Sequence, residues 1–257
     1  MPRDLSHYQQ AVARAFHNER SALDESTSFS LPLEPRPEPW LPEFLQIYMS
    51  VQAAYNEWSQ TYDADTNATR DLDQVVTRRV LGELKVESII EIGCGTGKNT
   101  KFFADLGERV QAMDFSAGML AKAKENFREI SNVTFSVADI TKRWPCAERS
   151  AGLVSCNLVL EHVNELSPVF AEAARALIPG GWFFVCELHP FRQYQGTVAN
   201  FSRGEQKTQI PAFVHHISEF VKAAQSCGFT VKRLEEWWHE KDEGKPPRLV
   251  SFLFEKG

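Results

Sequence analysis

The sequence predicts an α/β protein whose strands lie in a largely parallel sheet. From Val80 onward, short apolar runs alternate with helix-like segments, and the glycine-rich segment 93–97 directly follows the first of these runs. This alternation implies crossover connections, which place parallel strands side by side and helices on both faces of the sheet. With 257 residues, 43% of them hydrophobic, the chain is long enough for one such domain and an appendage.

The N-terminal part of the chain has a different character. Five prolines in the segment 32–42 predict an extended connector, preceded by a short amphipathic helix within residues 5–16. After the connector, aromatic and aliphatic residues recur every three or four positions, which predicts a lid helix over residues 44–60. We therefore expect a helical, proline-rich head over residues 1–43 and a main domain over residues 44–257.

The main domain contains the alternating elements. Apolar runs predict strands over residues 88–92, 110–114, 133–137, 153–156 and 182–187. Helical spacing predicts helices over residues 98–105, 118–127 and 167–177, the last ending at Pro179-Gly180-Gly181. The tail predicts a helix over residues 218–226, a stop at Gly228, and strands over residues 230–236 and 249–254. Two consecutive strands with no helix between them favour an antiparallel hairpin.

Charge and composition argue against several classes of protein. The formal net charge of −6 and the pI near 5.7 disfavour a surface that neutralises many phosphates. No apolar run approaches the roughly 18 residues that a transmembrane helix needs, and the N-terminus lacks a signal-peptide pattern. The five cysteines are scattered without a CxxC pair, which argues against a disulfide framework or a zinc knuckle. We expect a cytoplasmic protein without nucleic-acid or membrane partners.

Three glycines, Gly93, Gly95 and Gly97, follow the first predicted strand, at the edge where parallel sheets bind ligands. Glycine there permits a tight turn and a close approach of the backbone to a ligand. The spacing places Lys98 where the dinucleotide fingerprint GxGxxG has Gly or Ala, which disfavours a nicotinamide or flavin cofactor. The segment also lacks the GK[ST] ending of a Walker loop.

Two acids follow the next strands. Asp114 closes the second strand, where a carboxylate can accept hydrogen bonds from both hydroxyls of a ribose. Asp139 follows the third strand, where it could accept a bond from an adenine amino group while Phe115 and Ile140 pack against the ring. Each acid alone is also common as a helix cap or turn residue. Their alignment at neighbouring strand ends favours an adenosine-containing cofactor.

These landmarks resemble the class I S-adenosylmethionine-dependent methyltransferases over residues 55–254. The segment 91–97 is similar to that family's first motif, and Asp114 to its ribose-binding acid. Segments similar to its adenine contact, its fourth-strand motif and the turn before its fifth strand are 138–140, 156–162 and 177–181. The resemblance implies S-adenosylmethionine as cofactor and a Rossmann-like seven-stranded sheet with helices on both faces, the last strand antiparallel. The further cofactor contacts it implies are Glu91, Gly93, Cys94, Gly95 and Asn157.

The lid segment is also part of the resemblance. Residues 55–63 are similar to the helix that covers the cofactor in small-molecule members of the family. Aromatic faces attract a sulfonium cation, and Tyr55, Trp58 and Tyr62 could supply them. Arg70 could pair with the cofactor carboxylate, with a surface ion pair as the alternative for this residue.

Methyl transfer requires the protein to position the acceptor and, for some acceptors, to remove a proton. The candidate catalytic side chains at predicted strand ends and before the tail helix are His162, His189, Tyr194, His215 and His216. Histidine suits a general base near neutral pH, although each of these histidines could instead have a structural role. The walls expected for the acceptor pocket carry Trp40, Tyr48, Phe201 and Phe213.

The Glu161-His162 pair is similar to a divalent-metal pair in ubiquinone-biosynthesis O-methyltransferases and small-RNA 2′-O-methyltransferases. This chain has Leu158 where those enzymes have a further Glu, so we expect no metal site. The function predicted is S-adenosylmethionine-dependent N- or O-methylation of a small polar metabolite. The alternatives are a metal-assisted O-methyltransferase, a non-catalytic regulatory protein that binds the cofactor, and, disfavoured by Lys98, an NAD-dependent oxidoreductase.

Overall fold

The computed structural model describes residues 43–203 and 206–257, with side chains over residues 51–200 and 208–257. These residues belong to the unit Leu41–Gly257. The predicted head and connector, Trp40 included, lie outside the described residues. The side chains of Tyr48 and Phe201 also lie outside them.

A seven-stranded sheet forms the centre of the described structure. Its strands are β1 (Ser88–Ile92), β2 (Arg109–Asp114), β3 (Val133–Val137), β4 (Ala151–Asn157), β5 (Leu177–Leu188), β8 (Phe229–Trp237) and β9 (Leu249–Lys256). They lie in the order β3-β2-β1-β4-β5-β9-β8. Strands β1 to β5 pair in parallel, whereas β9 is antiparallel to both β5 and β8. The predicted α/β sheet with an antiparallel last strand is confirmed.

Helices flank this sheet. They are α1 (Glu43–Trp58), α2 (Ala68–Leu81), α3 (Thr100–Leu106), α4 (Ala117–Asn126), α5 (Ser167–Ala176), α6 (Pro190–Tyr194) and α7 (Ile217–Ser226). Two short 3-10 turns cover Leu160–His162 and Glu240–Asp242. The lid helix α1 ends two residues before the predicted position, and no helix of the described residues is long and apolar enough to cross a membrane.

The central strands are apolar on both faces because helices cover both sides of the sheet. Successive side chains point to opposite faces, so each strand contributes to two cores. One core contains Ile89, Leu153 and Phe184, and the other contains their chain neighbours Ile90, Val154 and Phe183. The sheet is therefore anchored from both sides, and the ends of its strands are held at fixed positions.

The structure differs from the sequence prediction in several places, and helices α2 and α6 were not predicted at all. Helix α5 ends at Ala176, and Pro179-Gly180-Gly181 lies within the first part of β5 instead of ending the helix. The register of β4 against β5 shifts between Ala151 and Leu153, so this first part pairs irregularly. A further difference is an unpredicted antiparallel hairpin of β6 (Asn200–Arg203) and β7 (Gln206–Gln209).

Candidate active site

Two adjoining cavities open at the carboxyl edge of the parallel strands. The first, here called the glycine-turn cavity, encloses about 1060 Å³ counted with its opening to solvent. The predicted residues that line it are Tyr55, Tyr62, Arg70, Glu91, Gly93, Cys94, Gly95, Asp114, Phe115, Asp139, Ile140, Asn157 and His162. The second, here called the polar cavity, shares Tyr55, Tyr62, Arg70 and Leu158 with the first. Residues from all parts of the domain thus converge on one site.

The glycine turn after β1 is closely packed on one side and open on the other. Gly93 and Gly95 have φ angles of 70° and 56°, in the left-handed region that favours glycine. A Cβ atom at Gly93 would lie 2.0 Å from Cγ2 of Val159, whereas one at Gly95 would have no heavy atom within 4 Å. The side of the turn at Gly95 therefore offers bare backbone to a ligand.

Asp114 at the end of β2 faces this turn. Its Oδ2 accepts a hydrogen bond from the Gly95 amide at 2.8 Å, and its Oδ1 accepts one from the Ser116 amide at 2.7 Å. Loss of solvent around the carboxyl group raises its pKa, which the amides of Ser116, Gly95 and Phe115 partly oppose. A carboxylate has about four acceptor positions, so with three amides bound one position remains for a ribose hydroxyl.

Asp139 and its neighbours form the next wall of the glycine-turn cavity. Oδ1 of Asp139 accepts hydrogen bonds from the amide and the hydroxyl of Thr141, at 2.9 and 2.6 Å. This is the turn role that the residue type favours, and the side chain still lines the cavity. Ile140 is buried and presents an apolar surface to the same space, with Phe115 also lining it.

A buried polar network lies beneath the cavity and was not predicted. Asn157 donates to Oδ1 of Asp73 at 2.7 Å and to the Thr77 hydroxyl at 2.9 Å. Asn99 donates to Oδ2 of Asp73 at 2.7 Å. Burial raises the pKa of Asp73, and these amide donors oppose that shift. Asn157 is thus held by protein groups, and Asp73, which also lines the cavity, is one of the residues that were not predicted there.

Two further buried acids support the strand ends. Glu91 in β1 accepts a hydrogen bond from the Thr100 hydroxyl, and burial raises its pKa to about 8. Glu187 at the end of β5 accepts the amides of Val159 and Leu160, and burial raises its pKa to about 8 as well. Glu187 therefore fixes the loop after β4.

That loop contains a strained residue. Leu158 has a φ angle of 56°, which is uncommon for a residue with a side chain and costs on the order of 1–3 kcal/mol. Leu158 lines both cavities, and the 3-10 turn Leu160–His162 begins two residues later, after Val159. The strain is thus located at the junction of the two cavities.

Two aromatic rings, of Trp58 at the end of the lid helix and of Tyr62 after it, lie next to the guanidinium group of Arg70. The rings of Tyr55 and Trp58 stack at 5.7 Å, and the guanidinium carbon of Arg70 lies 4.0 Å from the centre of the Tyr62 ring. Arg70 donates to the carbonyls of Tyr62 and Asp65, at 2.6 and 2.7 Å, and its Nε is buried without a partner among the described residues.

Arg70 is 6% exposed, so the surface ion pair considered for it does not occur. The Asn67 side chain caps α2 by accepting a hydrogen bond from the Arg70 amide at 3.1 Å, which fixes the position of the Arg70 backbone. Trp58, predicted as a cofactor contact, lines the polar cavity and not the glycine-turn cavity.

Helix α1 is held over the site by polar contacts to the start of α4. Oδ1 of Asn56 accepts hydrogen bonds from the Ser116 hydroxyl and the Gly118 amide, at 2.7 and 2.9 Å. Gln52 donates to the Phe115 carbonyl at 2.9 Å. A Cβ at Gly118 would lie 2.8 Å from the Ser59 hydroxyl, so glycine allows the two helices to approach closely.

The candidate catalytic residues are not all at the site. His162 is 7% exposed and lines the glycine-turn cavity. His189, Tyr194, His215 and His216 line neither cavity. Their observed partners are Glu236 for His189, the Val163 carbonyl for His215, and each other for Tyr194 and His216. Phe213, expected in the acceptor wall, lines neither cavity either.

The described part of the chain contains no complete set of side chains that could bind a metal ion. Within residues 43–203 and 206–257, no group of three or more His, Cys, Asp or Glu side chains is arranged to hold a metal ion. Oε1 of Glu161 lies 3.8 Å from Nε2 of His162, and the pair has no third ligand in those ranges.

Comparison with known proteins agrees with this geometry. Residues 90–185 match the family model described as a methyltransferase domain. The chain is 27% identical to an uncharacterized methyltransferase of Emericella nidulans over 246 residues, covering 80% of this chain and 85% of the relative. It is also 27% identical to the demethylmenaquinone methyltransferase of Tropheryma whipplei over 210 residues, covering 80% and 82%. The crystal structure of an S-adenosylmethionine-dependent methyltransferase from Mesorhizobium loti shares the fold, with a TM-score of 0.59, 20% identity, and coverage of 71% and 96%.

Proposed function

Because this chain is a class I S-adenosylmethionine-dependent methyltransferase, we propose that it methylates a nitrogen or oxygen atom of a small polar molecule bound in the polar cavity. The observation that carries the proposal is the junction of the two cavities. The glycine-turn cavity has the backbone and acids that suit the cofactor, and the polar cavity continues from it past Tyr55 and Leu158.

The residues of the glycine-turn cavity fit S-adenosylmethionine. Bare backbone at Gly95 and the remaining acceptor position of Asp114 suit a ribose, and Ile140 with Phe115 suits a flat base. The unpartnered Nε of Arg70 suits the cofactor carboxylate, and the ring of Tyr55 suits the sulfonium. When bound, the cofactor supplies an electrophilic methyl group on that sulfonium.

The polar cavity favours a polar acceptor. Uncharged polar side chains from the start of α2 and from the segment before β6 line it, together with Glu161, Arg70 and Arg248. A long apolar chain would leave those groups without water or hydrogen-bond partners, which costs free energy for each group. The demethylmenaquinone relative makes a lipid-like quinol the second candidate, and the acceptor test distinguishes the two.

The cofactor assignment is tested by calorimetric titration with S-adenosylmethionine. Asp114→Ala removes the ribose acceptor and the anchor of the Gly95 amide, so we expect a loss of affinity of about tenfold or more, from at least one charged hydrogen bond. Asp105→Ala, at an exposed position of α3, is the control and should bind as the wild type does. Equal affinity of Asp114→Ala and wild type would contradict the site. NADH should show no fluorescence enhancement.

The acceptor is tested by incubating the enzyme with radiolabelled S-adenosylmethionine and a small-molecule cell extract. We expect label in a water-soluble product that mass spectrometry then identifies. Label in demethylmenaquinone added in a parallel reaction, with none in the polar fraction, would reject the polar acceptor. Absence of transfer in both reactions would contradict the proposed function.

A further inference from the structure

Three polar side chains meet where the two cavities join. The Tyr55 hydroxyl lies 2.9 Å from Nε2 of His162, and Oε1 of Glu161 lies 3.8 Å from the same nitrogen. Tyr55 lines both cavities, His162 lines only the glycine-turn cavity, and Glu161 lines only the polar cavity. Tyr55 therefore lies, with Tyr62, Arg70 and Leu158, at the junction between an acceptor in the polar cavity and a methyl group in the glycine-turn cavity.

The hydrogen bonds of His162 define which of its nitrogens carries the proton. Nδ1 lies 2.8 Å from the Pro211 carbonyl, which can only accept, so Nδ1 is the donor in this contact. In the neutral ring Nε2 then has a lone pair, and the Tyr55 hydroxyl donates to it. The imidazole is thus oriented with its basic nitrogen toward Tyr55.

We propose that Tyr55 and His162 form a proton relay that deprotonates the methyl acceptor, an inference that rests on the proposed function. As the acceptor atom forms its bond to the methyl carbon, the bond from that carbon to the cofactor sulfur breaks. The acceptor proton passes to the Tyr55 oxygen, and the Tyr55 proton passes to Nε2 of His162. The products are the methylated acceptor, a neutral thioether and an imidazolium, which later returns its proton to solvent.

The surroundings of Tyr55 and His162 favour passage of the acceptor proton through the Tyr55 hydroxyl to His162, with Tyr55 itself remaining a neutral phenol. Desolvation, reinforced by the nearby charge of Glu161, raises the pKa of Tyr55 well above its ordinary value, so the phenol stays protonated between turnovers. Glu161 is 7% exposed, and its carboxylate can compensate the positive charge that forms on His162. The carboxylate thus acts through the histidine, as a positioning residue.

The relay also limits the chemical class of the acceptor. The acceptor atom must carry a proton, as in a hydroxyl group or a primary or secondary amine. A thioether or a tertiary amine has no proton to give and would not need the relay. Among the nitrogen and oxygen acceptors of the proposed function, the relay therefore selects those whose acceptor atom carries a proton.

The test measures the rate of label transfer from S-adenosyl[methyl-³H]methionine to the small-molecule extract at saturating cofactor. Tyr55→Phe keeps the ring but loses the hydroxyl, and His162→Gln keeps an acceptor for Tyr55 but has no basic atom. Each should lower the rate about 10²-fold or more, the usual contribution of general acid–base catalysis, while calorimetry shows unchanged cofactor affinity. The double variant should lose about as much as either single variant, because the two residues act as a unit.

Tyr194→Phe is the matched control, since it also removes a hydroxyl bonded to a histidine, but outside both cavities. It should transfer label at the wild-type rate. The relay is overturned if Tyr55→Phe keeps the wild-type rate, if its rate falls only in proportion to cofactor affinity, or if the losses of the two single variants add in the double variant.

A nitrogen-15 spectrum of histidine-labelled enzyme separates this inference from the proposed function. The Nε2 resonance of His162 should move in Tyr55→Phe and stay in place in Tyr194→Phe. If the wild type transfers no label, the proposed function fails, and the spectrum still tests the pair. An unmoved resonance in Tyr55→Phe overturns the relay in either case.

Discussion

Gly93 and Gly95 stand two residues apart in the same turn and serve different purposes. Both have positive φ angles, but only Gly93 has a neighbour, Val159, in the space that a Cβ atom would fill. Gly93 therefore allows the loop after β4 to pack against the turn. Gly95 instead keeps the floor of the glycine-turn cavity open.

Alanine at these two positions should separate stability from binding. Gly95→Ala should lower the free energy of unfolding by about 1–2 kcal/mol because of backbone strain. It should also weaken the binding of S-adenosylmethionine, because the new methyl group enters the cavity. Gly93→Ala should cost about 1–3 kcal/mol more, because it also displaces Val159. Urea unfolding and calorimetry measure the two effects. Equal destabilisation by both variants would contradict this division.

Single residues also differ in how far the sequence predicts their position at the cavity. The glycine turn and Asp114 were predicted because they follow apolar strands directly, at the edge where ligands bind. Asp73 was missed because helix α2 itself was not predicted. In that helix Asp73 and Thr77 are one turn apart on the buried face that carries Val76 and Val80, a pattern that would have identified a buried polar pair.

Helix α1 covers the site, and near its C-terminal end Asn56 attaches it to the start of α4 by hydrogen bonds. Asn56→Ala removes two hydrogen bonds to the start of α4, each worth about 1 kcal/mol. We expect faster amide hydrogen exchange in α1 and dissociation of S-adenosylmethionine faster by about five- to thirtyfold, the equivalent of 1–2 kcal/mol. Stopped-flow chase and exchange mass spectrometry measure both.

Gln225→Ala removes an exposed amide side chain from α7 and serves as the control for Asn56→Ala. It should leave both rates as in the wild type. Asn56→Ala with wild-type exchange in α1 would show that the apolar contacts of Val51, Ala54 and Trp58 hold the lid alone.

The elements of this fold differ in how much their sequences reveal. Strands β1 and β3 have the predicted bounds because each is a short run that begins and ends within five residues, with Gly93 after β1 and Ala138-Asp139 after β3. The hairpin β6–β7 has no such run, since its strands read Asn-Phe-Ser-Arg and Gln-Lys-Thr-Gln. Neither this hairpin nor the left-handed backbone at Leu158 follows from local pattern.

At the scale of the whole molecule, the carboxyl edge of the sheet gathers buried acids. Asp73 and Asp114 raise the pKa of Glu91 in addition to burial, and Glu161 and Asp73 do the same for Glu187. The carboxylates that are ionised at this edge suit a ligand with a sulfonium and an ammonium group, whereas Glu91 and Glu187 are neutral below about pH 8. The sheet holds the acids together, because Glu91, Asp114 and Glu187 lie on β1, β2 and β5, and Asp73 is bonded to Asn157 at the end of β4.

This arrangement makes the stability of the molecule depend on pH. Glu91 and Glu187 have ordinary pKa values of 4.5 that burial raises to about 8, so between these values the folded state binds more protons than the unfolded state. Their contribution is therefore fully present below about pH 4.5 and is lost as the pH rises through about 8.

Glu187→Gln replaces the neutral acid by an amide of similar shape, whose oxygen can still accept hydrogen bonds from the Val159 and Leu160 amides. The free energy of unfolding, measured by urea titration from pH 5 to pH 8, should fall less steeply in Glu187→Gln than in the wild type. Glu125→Gln, at a side chain that is 53% exposed, should keep the wild-type slope, and a wild-type slope in Glu187→Gln would show that this carboxyl is already ionised in the folded protein.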